Sequence, residues 1–277
     1  MTLAIDRSSS TRSLIADDPL IAGMSIRQSL PLHESSTRLR ELYPECPRAY
    51  GVAVMSDVGR RRWWPLARAL NTDRLEQMYA RAVEETGSDS IAVHQLADAL
   101  VHTVVGRLVA LVVLEGRAWD PGLGNLWVYF DSEGCIDWAG VVDPTLRVLP
   151  DDPDRDRQQV VVFPGEDALA AWTAHRCHRA LTPLFTRLSN VSSGAMEIGQ
   201  MWQLVGSTVV GAATHVPLLA RSSETDGMRR GQAILDRFMT LGLPVRHKAL
   251  QFRAALPILN LVERATARPD TRTAPES

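Results

Sequence analysis

Residues 125–142 read NLWVYFDSEGCIDWAGVV, and their period decides the fold class. Aromatic and β-branched residues alternate along LWVYFD and again along CIDWAGVV, and Ser132, Glu133 and Gly134 between them supply a turn. The stretch predicts a β-hairpin. Upstream and downstream of it the period is helical, so strands sit inside an otherwise helical chain. QVVVFP at Gln159 to Pro164 is a third strand candidate, and AYGVAVM at Ala49 to Met55 a fourth. DDPDRDR at Asp151 to Arg157 reads as a solvated, charged loop, because its acids and arginines neutralise one another and lack the spacing of a calcium loop.

Before the hairpin, short helical character is expected at Ser36 to Tyr43. A helix is expected over Thr72 to Glu85, with Thr72 as its N-cap and Gly87 at its end. The next helix, capped by Ser90 and closed by Gly116, is apolar around most of its circumference and should be central. After Pro164 three helices follow. The first starts at Gly165-Glu166-Asp167, where negative charge favours a helix N-terminus, and runs to Leu188. The second, capped by Ser192-Ser193, carries Trp202 and the small-residue run VGSTVVGAATH and stops at Pro217; the third spans Asp226 to Leu241. Gly206, Ser207, Gly211, Ala212 and Ala213 allow another helix to approach closely. The expected fold is α+β, a single domain over residues 35–265 with a small antiparallel sheet and a helical C-terminal half packed against it. Residues 1–34 read as a mobile arm and 266–277 as a disordered tail.

A chain of 277 residues with 45% hydrophobic content can bury a full core. Its 30 basic and 32 acidic residues leave no surplus for nucleic acid or an anionic membrane, and neither is expected as a partner. Cys46, Cys135 and Cys177 are odd in number and far apart, which fits free thiols in a reducing cytoplasm. The N-terminus lacks the apolar run of a secretory signal. Val101 to Leu114, interrupted by His102 and Arg107, is shorter than the roughly 20 residues that cross a bilayer.

No nucleophile elbow, P-loop or dinucleotide fingerprint is present, and no cofactor site is signalled. His175 and His178 share a helix face, but a third metal ligand is not apparent, so no metal site is assigned. Arg60-Arg61-Arg62, followed by Trp63-Trp64-Pro65, reads either as a solvated face or as a clamp for phosphate or carboxylate. The aromatics and cations suited to a small-molecule pocket include Arg117, Trp127, Arg187 and Trp202 as ligand-binding candidates. His178 and His215 are the candidates for general acid or base work near neutral pH.

From Ser90 to Leu256 the chain resembles the FhuF-like ferric-siderophore reductases. The resemblance rests on the long apolar helix before GRAWDPGLGNLWVYFDSEG, on HRALTPLFTRLS, on the helix of Trp202, and on the ending FRAALP. It places that family's helix-start histidine at or near His178. The family reduces ferric siderophores through an iron-sulfur cluster held by four thiolates. Where the family shows Arg-Cys-Cys-Leu, this chain has Arg253, Ala254, Ala255 and Leu256, and no cysteine follows Cys177. The resemblance therefore implies a ferric siderophore or related small molecule as ligand, bound without an intrinsic cluster. A metal-free enzyme of specialised-metabolite biosynthesis, of cyclase, isomerase or dehydratase type, is the alternative, and a non-catalytic partner protein a third.

Overall fold

The computed structural model describes residues 19–132 and 134–246. The FRAALP ending, the expected tail and the first part of the expected arm lie outside the described residues. A single helical turn at Pro19–Ala22 is followed by α1 (Pro31–Glu41), β1 (Val52–Val54), β2 (Trp63–Pro65) and a 3₁₀ segment at Leu66–Leu70. Then come α2 (Arg74–Thr86) and the central helix α3 (Asp89–Glu115). The hairpin β3 (Leu126–Phe130) and β4 (Ile136–Val141) leads to β5 (Leu146–Val148) and β6 (Val160–Val162). The chain closes with α4 (Glu166–Val191), α5 (Ile198–Ala220) and α6 (Glu224–Thr240).

The fold is α+β, but the sheet is mixed rather than antiparallel. Its strand order is β1-β4-β3-β2; β3 pairs antiparallel with both neighbours, whereas β1 runs parallel to β4. Local alternation cannot reveal such a pairing, because β1 and β4 are joined through two long helices. β6 stays out of this sheet and pairs in parallel with β5. Helix α1 begins at Pro31, inside the expected arm, and buries Leu32 completely. Pro31 is pre-set for a first helical position, and His33 bonds Asp57 at 2.7 Å, tying α1 to the loop after β1.

The alternation of the hairpin sorts the two sheet faces. Leu126, Val128, Phe130, Ala139 and Val141 join Val52 and Val54 in the main core, while Trp63 and Trp138 pack with Ala53 and Met55 on the other face. The main-core face is met by α3, whose five residues His102–Gly106 form a π turn. Such bulges widen the helix locally, and here Gly106 is required: a Cβ would lie 2.5 Å from His102 Nδ1. His102 Nε2 donates to the Ala49 carbonyl at 2.6 Å, and burial, then the Arg107 charge, push its pKa down to about 4. Arg107, 1% exposed, donates to the carbonyls of Gly51 and Asp137 and so laces α3 to the residue before β1 and to β4 itself.

On the far side of α3 the three C-terminal helices close the core. Gly227 and Gly231 of α6 face Pro217 and Ala213 of α5, and a Cβ on Gly231 would come within 2.5 Å of the Ala213 Cβ. The small-residue run thus serves close helix approach, as read. Pro217 does not end α5, which continues to Ala220 and stops at Arg221 in a left-handed conformation. Its N-cap is Glu197 in a box with Gln200, in place of Ser192-Ser193. Ser88, two residues before Ser90, caps α3 by accepting from the Ile91 amide. Two helices, α3 and α5, are long and apolar enough to cross a membrane by length and composition. The most apolar window of α3 is 89% buried inside the fold, as expected of a core helix.

Candidate cleft between the sheet edge and helix α2

The edge strand β2, the β3–β4 turn and α2 enclose an open cleft of about 470 Å³, lined by Arg62, Trp63, Trp64, Arg74, Arg81 and Phe130 with Asp131, Ser132 and Gly134. Each wall has a local cause. Arg62 sits at φ +68, a left-handed turn that delivers the chain into β2. Arg74 opens α2, and its guanidinium carbon lies 4.3 Å from the Phe130 ring centroid, a cation-π stack. Arg81, two turns further along α2, shares that face. Opposite it the turn is fixed by Asp131, whose Oδ1 accepts from the Cys135 amide at 2.9 Å. Gly134 is at φ +77 and a Cβ there would meet Arg81 Nη1 at 2.9 Å. The positive φ favours glycine there, while the mobile end of Arg81 could give way.

The cations of the cleft are unevenly matched. Arg81 pairs with Glu85 at 2.8 Å. The guanidiniums of Arg62 and Arg74 make no ion pair or hydrogen bond among the described residues, and Arg74 Nε is buried without an acceptor. Arg62 is exposed and Arg74 half-buried, and most other half-buried arginines among the described residues are paired. Arg60, on the outer sheet face, lies 5.6 Å over the Trp127 ring. The arrangement can hold anionic oxygens against flat aromatic surface.

The candidates read from the sequence do not converge on one pocket. His178 and Trp202 do meet, with ring centroids 5.7 Å apart. Burial, then the charges of His175 and Arg179, hold His178 below its usual pKa. Trp202 is 3% exposed and wedged against Phe185 and Phe238, so it is a core anchor of α4, α5 and α6. His215 lies thirteen residues along α5 from Trp202, roughly 20 Å. Arg187 is committed to an ion pair with Glu76 of α2. Arg117 is 4% exposed and held by Asp152, Asp154 and Glu115, which also corrects the reading of Asp151 to Arg157 as solvated: Asp152 is 8% exposed. Trp127 faces away from the main core, on the same sheet face as Trp63. Cys177 is fully buried, which pushes its thiol far up and removes it as a nucleophile.

Arg74 and Arg81 of α2 and Phe130 of β3 are not readable as site residues, because only the packing of two distant segments brings them together; the run at Arg60 to Arg62 is the one local signal. Asp98 of α3 also escaped. Its carboxylate has no partner among the described residues, and burial raises its pKa to about 6. An acid with a raised folded pKa binds its proton more tightly folded than unfolded, so stability falls as pH climbs from the ordinary carboxylate range through 6. Asp98→Asn is expected to raise stability at pH 8 by on the order of 2 kcal/mol and to leave it unchanged near pH 4. Urea midpoints at the two pH values check this; equal gains at both would assign the effect to packing.

An iron-sulfur cluster does not fit this chain. It has three cysteines where four thiolates are needed, two of them buried and apart, and among the described residues no group of three or more His, Cys, Asp or Glu could hold a metal. No family model, no curated protein and no solved structure matches this chain.

Proposed function

We propose that this protein binds a small molecule of the ferric-siderophore type, or a related chelate, in the cytoplasm, and does so in the Arg62–Arg74–Phe130 cleft without an iron-sulfur centre of its own. The observation that carries the reading is the pair of guanidiniums, Arg62 and Arg74, without a carboxylate partner among the described residues, beside Trp64 and Phe130. An oxygen-rich chelate with flat catecholate rings satisfies both halves of that surface: its ligand oxygens meet the guanidiniums and one of its rings faces the aromatics. The FhuF-like pattern of the sequence supports the same class of ligand. Binding is equilibrium capture, and any reduction of the metal falls to an external donor.

Titration of the protein with ferric chelates, followed by tryptophan fluorescence corrected for absorption, tests this. Trp63 and Trp64 line the cleft, so saturable quenching at micromolar concentration is expected. Absence of any saturable change with both catecholate and hydroxamate chelates overturns the chelate reading.

A further inference from the structure

We infer that the cleft selects its ligand by charge: it takes a multiply charged oxyanion, with two or more negative charges on clustered oxygens, and discriminates against neutral ligands of the same size. The inference rests on the reading of this cleft as a binding site. Among the described residues three guanidiniums line the cleft against one carboxylate, Asp131, which accepts from the Cys135 amide, and Arg81 is already paired with Glu85. The cations left without a carboxylate are therefore Arg62 and Arg74. Arg60 and Arg61 precede Arg62 directly and add to the field along the same edge.

The guanidiniums are placed for oxygens rather than for a ring alone. Arg74 is half-buried, its guanidinium carbon lies 4.3 Å over the Phe130 ring, and its buried Nε lacks an acceptor among the described residues. Holding the group against the ring in advance lowers the ordering cost of a charge-assisted hydrogen bond. Arg81 follows two turns along the same face of α2, against the Gly134 turn. A neutral ligand entering here would strip water from these cations and return weaker bonds than anionic oxygens do, which costs affinity. A dianion or trianion replaces that water with charge-assisted bonds. Ferric tris-catecholate and free pyrophosphate share this chemistry, whereas a ferric tris-hydroxamate is neutral.

The experiment compares ferric tris-catecholate, a neutral ferric tris-hydroxamate and inorganic pyrophosphate at about 20 and 200 mM salt, by calorimetry on the full chain. Variants are Arg62→Asn, chosen because Asn tolerates the left-handed backbone, and Arg74→Gln, with circular dichroism to confirm the fold. Expected are catecholate binding at least about tenfold tighter than hydroxamate, competition by pyrophosphate, and about tenfold weakening by the higher salt and by each substitution. Arg74→Lys, which keeps the charge and loses the planar stack, should fall between wild type and Arg74→Gln. Pyrophosphate binding without either chelate supports the inference and overturns the chelate reading of the preceding section. Equal affinity for the charged and neutral chelates, insensitive to salt and to Arg62→Asn, overturns the inference and leaves the chelate reading standing. No binding of any probe overturns both.

Discussion

Arg117→Ala is expected to lower the unfolding free energy by about 3–5 kcal/mol, read as a shift of the urea midpoint at unchanged slope. The Arg117 guanidinium meets Asp152 through two bonds, Nε at 2.7 Å and Nη2 at 2.9 Å, and Asp154 at 2.9 Å. Glu115 lies 3.7 Å away and is itself held by Ser35 and Arg38 of α1. One buried cation thus joins the end of α3, helix α1 and the 151–157 loop. Removing it leaves Asp152 buried without its counter-charge, while Glu115 keeps Arg38, and desolvation of Asp152 makes that costly. Against a typical total of about 5–15 kcal/mol, the loss is large. An Arg117→Met, Asp152→Leu double variant should recover most of it, since an apolar pair of similar volume needs no compensation. Asp154 adds a pH signature. Burial pushes its carboxyl up, but the Arg157 hydrogen bond and the Arg117 charge outweigh this and hold it below its usual range. A depressed acid stabilises above its unfolded pKa, and that contribution is lost as pH falls through the folded value. The acid limb of the stability curve should therefore flatten in Arg117→Ala. A cost under about 1 kcal/mol would mean that the network behaves as a solvated surface pair.

How far the sequence carries the fold can be judged at particular residues. The hairpin at Leu126 to Val141 and the apolar α3 were readable because their periods are local. The parallel union of β1 with β4, and the split of β6 into a second sheet, depend on partners far away in the chain. The partners of Arg117 are not legible locally: alternating signs in DDPDRDR look self-neutralising, whereas Asp152 and Asp154 turn inward to a cation 35 and 37 residues earlier. The cleft was hidden for the same reason. Its arginines are twelve and seven residues apart in the chain, on a turn and a helix, and only the packing of α2 beside the sheet edge brings them to Phe130. Single residues such as Trp127 and Trp202 suggested a ligand because an aromatic side chain serves a core and a pocket equally well, and burial alone separates the two uses.

Trp202→Ala tests that separation, and its expected cost is about 3–5 kcal/mol. The indole fills the junction of three helices, with Phe185 at 5.1 Å and Phe238 at 6.1 Å between ring centroids, and truncation would leave a cavity that rigid helices cannot close. Trp202→Phe keeps most of the volume and should cost far less. The imidazole of His178 reports on the same junction. Burial is the main cause that holds its pKa down, so water admitted by Trp202→Ala should move its titration midpoint, followed by proton NMR, upward toward about 6.5. Ligand affinity of the folded fraction should be unchanged, since Trp202 does not line the cleft. The contrast with Arg74→Gln is then sharp: one variant loses stability and keeps binding, the other keeps stability and loses binding. If Trp202→Ala kept its stability and lost ligand affinity instead, the junction of α4, α5 and α6 would be the binding site and the cleft would not.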